Sequence, residues 1–132
     1  MREIKFRGRR VDNGEWIYGF YTLAYFPDGI KKSIISISGD RIYNAYPIVD
    51  ETEGQFIGLF DSNGKEIYEG DIRGGFYFCM EDKVEFLEVI KFHLSPHVGY
   101  YYYWESIKGG NMPDFMETEI IGNRHENPEL LK

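Results

Sequence analysis

One cysteine, Cys79, is all the chain offers for disulfide chemistry, so no internal bridge can form and a reducing cytosol is the expected compartment. Long apolar runs are missing too: none approaches the roughly 20 residues of a membrane-spanning helix. No apolar stretch follows the basic residues Arg2, Lys5, Arg7, Arg9 and Arg10, so no signal peptide is expected. Alanine is scarce and glycine reaches fifteen residues, which argues for turns and against long helices. Histidine is limited to His93, His97 and His125. His93 and His97 have the spacing of one helix face, but Pro96 lies between them and breaks any helix there. No glutamate accompanies them in a metalloprotease pattern, so no metal site is expected.

Other chemistries fail in the same way. The glycines between Gly70 and Gly75 lack the Lys-Ser/Thr pair and following helix of a phosphate loop. Cys79 lies within Phe76-Tyr77-Phe78-Cys79-Met80 with no base nearby, and is predicted to be a buried, inert thiol. Glu69 and Asp71 flank Gly70, but Asp71 is better placed to bond backbone amides and hold a turn than to serve as an acid or base. No catalytic residues and no cofactor are expected, and the protein is read as not an enzyme.

What is present is aromatic and β-prone. Eleven Tyr, ten Phe and two Trp stand in 132 residues, one domain by length, and aromatic side chains suit strands. Net charge is −7, unevenly spread. Residues 1–48 hold eight Lys/Arg and five Asp/Glu, a balance of +3, while residues 49–132 hold seven and seventeen, a balance of −10. An amino-terminal β subdomain over about 1–48 is conceivable, but no linker separates it. An acidic chain repels a phosphate backbone unless its cations gather on one face. Only Lys5, Arg7, Arg9 and Arg10 offer such a stripe.

Ile4 to Arg9 alternates, which predicts a half-buried strand with Ile4 and Phe6 inward and Lys5, Arg7 and Arg9 outward. Asp12-Asn13-Gly14 turns it into a second strand from Trp16 to Leu23. Further strands are predicted over Ser33–Ile37 and Arg41–Val49, with a Gly39-Asp40 turn between them and Pro47 marking an edge. Later strands are predicted over Ile72–Met80, Lys83–Leu94, Gly99–Trp104 and Glu117–Ile121, with a turn at Glu81-Asp82 and a flexible loop over Lys108–Asp114. Asn127 and Pro128 open a terminal helical turn. Tyr100, Tyr101, Tyr102, Tyr103 and Trp104 put rings on both faces of one strand, one row for a core and one for a protein interface. Stacking on bases would need cations beside the rings, and the neighbours are Glu105 and the distant Lys108. Many short strands with regular turn signals predict a mainly β, small antiparallel barrel or sandwich-like domain.

The stretch Gln55–Ile72 organises the rest. Asp61-Ser62-Asn63-Gly64 has the residues of a type I turn followed by a left-handed glycine. That turn sets Leu59 opposite Ile67, with Ile57 on the same face, and so predicts one buried apolar face. Glu69-Gly70-Asp71 then redirects the chain into a new strand.

This stretch, IGLFDSNGKEIYEGDI, resembles the signature of the YopX family of phage and prophage proteins, with Gly58, Asp61, Asn63, Gly64, Gly70 and Asp71 as its structural residues. The start, MREIKFRGRRVDNGEWIYGF, and the end, EIIGNRHENPELL, resemble the family's two termini. Two positions depart from the pattern: the segment Val49-Asp50-Glu51-Thr52 before the hairpin lacks the usual proline, and Arg73 stands where an apolar residue is usual. The resemblance implies a phage-related setting and a β-rich fold but no reaction. The resulting expectation is a non-catalytic, cytoplasmic protein-interaction module that associates with itself and with an unidentified host or phage protein, and with no membrane. One alternative is a nucleic-acid-binding barrel using the basic stripe; another is an acidic inhibitor that competes with DNA for a host protein.

Overall fold

The computed structural model describes residues 4–38, 42–97, 99–109 and 118–131. The chain divides into two compact units, Met1–Phe56 and Ile57–Lys132. Pairing is antiparallel throughout the described strands, and the chain ends on a 3-10 turn over Pro128–Leu131. The mainly β fold is therefore as expected. Among the described residues the sheets stay open rather than closing into a barrel.

In the first unit, β1 (Phe6–Arg9), β2 (Trp16–Phe26), β3 (Gly29–Ser38), β4 (Ile42–Pro47) and the start of β5 (Gly54–Phe60) form a sheet of order β4-β3-β2-β1-β5. Pro47 lies on the edge strand, where its missing N–H interrupts no ladder. Ile17, Ile34 and Ile48 are the buried centre, with Phe6, Tyr21 and Tyr46 packed around them. The β2–β3 hairpin runs longer than predicted, from Phe20↔Ile35 out to Phe26↔Gly29. The expected Gly39-Asp40 turn lies outside the described residues.

The inward and outward assignments for β1 require correction. Ile4 is exposed, and Arg7, expected outside, is only 4% exposed. The reason is packing on both faces of β1: one side carries Arg7 under the Trp16 ring, and the other carries Gly8 against Ile48. Trp16 stacks on the Arg7 guanidinium, its ring centre 4.8 Å away. Ile48 packs so closely on Gly8 that a Cβ there would come within 2.8 Å of it.

In the second unit, the end of β5 runs beside β6 (Glu66–Tyr68). A four-stranded sheet follows, in the order β10-β7-β8-β9, from β7 (Asp71–Cys79), β8 (Asp82–Ser95), β9 (Gly99–Gly109) and β10 (Ile120–Asn123). Ile57, Ile67, Ile90 and Ile120 form its core, with Tyr102 and Trp104 against them. The turn at Pro96 falls between β8 and β9, as the sequence predicts. The loop predicted over Lys108–Asp114 lies largely outside the described residues.

With the division at Phe56, the acidic loop around Asp50, Glu51 and Glu53 belongs to the first unit. That unit then holds eight Lys/Arg and eight Asp/Glu, and the second holds seven and fourteen, a balance of −7. The sequence-level split of +3 against −10 does not survive as a split between compact bodies.

Candidate functional site

The signature residues lie in the second unit, Gly58 within β5 and the others at two turns. Asp61 closes the β5–β6 hairpin: the Asp61 N–H donates to the Lys65 carbonyl at 2.8 Å, and the Gly64 N–H to the Asp61 carbonyl at 3.0 Å. Gly64 has φ of 79° with open space around it, so its requirement is the left-handed backbone and not a tight contact. The Asp61 side chain is buried. Its Oδ1 accepts from the amides of Asn63 at 2.9 Å and Lys65 at 2.8 Å, and its Oδ2 accepts from the amide of Ile120 at 3.2 Å. One carboxylate thus ties the hairpin to β10, residues separated by 59 positions, and the Ser62 N–H adds a bond to the Thr118 carbonyl at 2.7 Å. Burial pushes the Asp61 carboxyl up. The amides of Lys65, Ile120 and Asn63, with the Lys65 charge, outweigh burial and hold it below the ordinary carboxylate range.

Leu59 is not part of the buried face expected for this hairpin; it is 49% exposed, while Ile57 and Ile67 are buried. Gly58 has φ of 88°, which breaks the two-residue alternation inside β5. Phe56 and Ile57 are buried in succession before it, and Leu59 and Phe60 are exposed after it.

At the second turn, the Asp71 Oδ2 accepts from the Tyr68 amide at 2.8 Å. Gly70, at φ of 93°, donates its N–H to the Ile90 carbonyl and accepts from the Arg124 amide, each at 2.9 Å. This turn therefore joins β8 and the residues after β10. Arg73 pairs across β7–β8 with Glu88, both almost fully buried, with Nε and Nη2 each 3.1 Å from Oε1. Arg73 Nη1 donates to Thr118 Oγ1 at 3.0 Å, and the guanidinium lies 4.0 Å from the centre of the Trp104 ring. A buried ion pair with this many partners reads as a structural post rather than as a reactive group.

The other predicted residues do not converge. Arg10 is bound by Asp12 through two hydrogen bonds, at 2.9 and 2.6 Å, and lies 4.2 Å from the centre of the Tyr46 ring. Arg9 Nε donates to the Gly14 carbonyl at 3.3 Å, and Lys5 lies 5.9 Å from the Phe56 ring centre. Lys5, Arg7, Arg9 and Arg10 are thus partly or wholly drawn into contacts within their own unit. Of the aromatic strand, Tyr102 and Trp104 pack on the core and Tyr103 faces outward. The side chains of Tyr100 and Tyr101 lie outside the described residues, as does that of His93. Among the described residues no group of three or more His, Cys, Asp or Glu is placed to hold a metal ion.

Cys79 is exposed, not buried. The β7–β8 hairpin runs on past the core: Ile72 and Val89 are buried at its base, and Cys79↔Asp82 closes its far end. On its outer face Phe76 and Phe78 are 54% and 65% exposed, and Met80 in the turn at the tip is 97% exposed. The two phenyl rings meet edge to face with centroids 5.8 Å apart. Sequence reasoning missed this face because apolar alternation looks the same whether or not anything covers it. The available signal was the density of charge at Glu81, Asp82, Lys83 and Glu85 beside it.

The model of the family described as YopX protein matches residues 5–132. No curated protein matches. Among solved structures, that of protein EF1440 from Enterococcus faecalis is similar over 100% of both chains, with 23% identity and a TM-score of 0.54. At that identity the likeness is one of fold.

Proposed function

This chain belongs to the YopX family, and from that premise we propose that it is a non-catalytic module that acts by binding protein. The observation that carries this reading is the exposed apolar group of Phe76 and Phe78, standing in water on one face of a projecting hairpin, with Met80 at its tip. Scattered apolar residues are normal on a surface, whereas a contiguous group of large ones marks an interface. The polar groups buried in the second unit support the same reading: Asp61, Asp71, Arg73 and Glu88 are all engaged in holding strands together. The setting that goes with this reading is phage-related and cytoplasmic, and the partners include a second copy of the chain. No helix among the described residues is long and apolar enough to cross a membrane. The nucleic-acid alternative has little to stand on, because Arg7 is buried and Arg10 is held by Asp12.

Affinity capture from bacterial lysate tests the reading, with native protein and the Phe76→Ser/Phe78→Ser variant as baits and a nuclease-treated arm. The expected result is a protein retained by the native bait, lost from the variant and indifferent to nuclease. Equal capture by both baits, or capture that nuclease abolishes, would overturn it.

A further inference from the structure

We infer that the outer face of the β7–β8 hairpin is a two-fold interface between copies of this chain. The inference rests on the reading of the protein as an interaction module and names the surface and its occupant.

Cross-strand register fixes what the face contains. Phe76 pairs with Glu85 and Phe78 with Lys83, so these four side chains share one side of the hairpin. Lys83 Nζ lies 4.4 Å from the centre of the Phe76 ring, on that same side. Met80 stands exposed at the tip, and at the base Ile121 of β10 approaches Gly74, where a Cβ would come within 2.8 Å of it. The face thus offers an apolar stripe with one cation and one anion beside it.

That composition selects the occupant. One cation and one anion in adjacent same-side positions of β8 make the face complementary to itself, with no net charge to favour a partner of either sign. A two-fold that lays the face on itself sets Lys83 of each copy against Glu85 of the other, and stripe against stripe. Isologous contacts of this kind are the commonest in homo-oligomers. The three exposed side chains present roughly 400 Å², at about 200 Å² for a fully exposed large side chain. That is about half of what each partner buries in a standard interface, so association in the micromolar range is expected.

Met80 fits the same reading. Its φ is 59°, a conformation that Gly, Asn or Asp adopts readily and Met does not. A strained, nearly fully exposed Met at a hairpin tip serves the isolated fold poorly and an apolar contact well.

Sedimentation equilibrium over a range from about 1 to 200 µM, chosen to bracket a micromolar constant, decides the matter. Native protein is expected to move from monomer to dimer. Phe78→Ser and Met80→Gly are expected to weaken the dimer at least about tenfold; Met80→Gly, which relieves backbone strain, is expected to do so without lowering thermal stability. Lys83→Glu and Glu85→Lys are each expected to be monomeric alone and to form a one-to-one dimer when mixed, since the mixture restores both charge pairs. A native protein that stays monomeric, or grows beyond dimer, overturns the inference, as does a mixture that fails to pair. Capture of a different protein by a monomeric native bait would sink this inference and leave the proposed function standing; a dimer that captures nothing would do the reverse.

Discussion

Replacing Asp61 withdraws the acceptor of three backbone amides at once, two in the hairpin turn and one on β10. The three are not equivalent. Asn63 and Lys65 lie at an exposed tip, where water can take over their amides, whereas Ile120 is buried. Counting about 2 kcal/mol for the Ile120 bond to a charged acceptor and about 0.5–1 for each turn amide gives about 3–4 kcal/mol for Asp61→Ala. Asp61→Asn keeps a carbonyl for the turn but presents an NH2 group to the Ile120 N–H, and about 2 kcal/mol is expected. A Trp16→Phe background leaves Trp104 as the sole tryptophan, and Trp104 packs on the second unit's core, so denaturant unfolding followed by fluorescence reports that unit. The carboxyl is held below its ordinary value, so its charge stabilises the fold above the unfolded value and ceases to do so as pH falls through the lower, folded one. The gap between parent and Asp61→Asn is therefore expected to be full near neutrality and to shrink below about pH 4. Both variants within about 0.5 kcal/mol of the parent, or a gap that does not change with pH, would refute the reasoning.

Three further outcomes follow from the same geometry. Gly64→Val places a β-branched residue at φ of 79° in open space, so backbone strain alone acts and the melting shift is expected to correspond to about 1–3 kcal/mol; a variant melting with the parent would mean another turn. Arg73→Met leaves Glu88 buried without its partner and is expected to destabilise by about 3–5 kcal/mol in urea unfolding, while Arg73→Met/Glu88→Met recovers a large part of that loss. Fluorescence anisotropy with a labelled random duplex is expected to show no appreciable binding at physiological salt, and sub-micromolar, salt-sensitive binding would revive the nucleic-acid reading.

The turn chemistry was legible because its causes are local. Asp61, Gly64, Pro96 and Pro128 act within a few positions, and their turns fall where the residue types put them. Pro47 was legible for the same reason, since its missing donor acts on its own strand. What covers a strand is not local. Arg7 is buried with the Trp16 ring of the neighbouring strand lying over it, and nothing between Ile4 and Arg9 encodes that. The Arg73–Glu88 pair was lost because the turn was placed one residue too far along, which shifts the pairing by two. A turn placed at Glu81-Asp82 would pair Arg73 with Ile90, whereas Cys79↔Asp82 pairs it with Glu88. Gly58 broke the alternation in β5 by a left-handed φ that the sequence permits without requiring. The exposed face of β7–β8 depended on how far the hairpin outruns its core, a property of the whole unit.

Site-specific photocrosslinking in bacterial cells tests the central claim most directly, with a benzophenone-bearing amino acid placed at Phe78 and, as a control, at the exposed Lys65 of the other hairpin. The account predicts light-dependent protein adducts from position 78, with a second copy among them, and none of these from position 65. No adduct from position 78, or the same adducts from both positions, would contradict it.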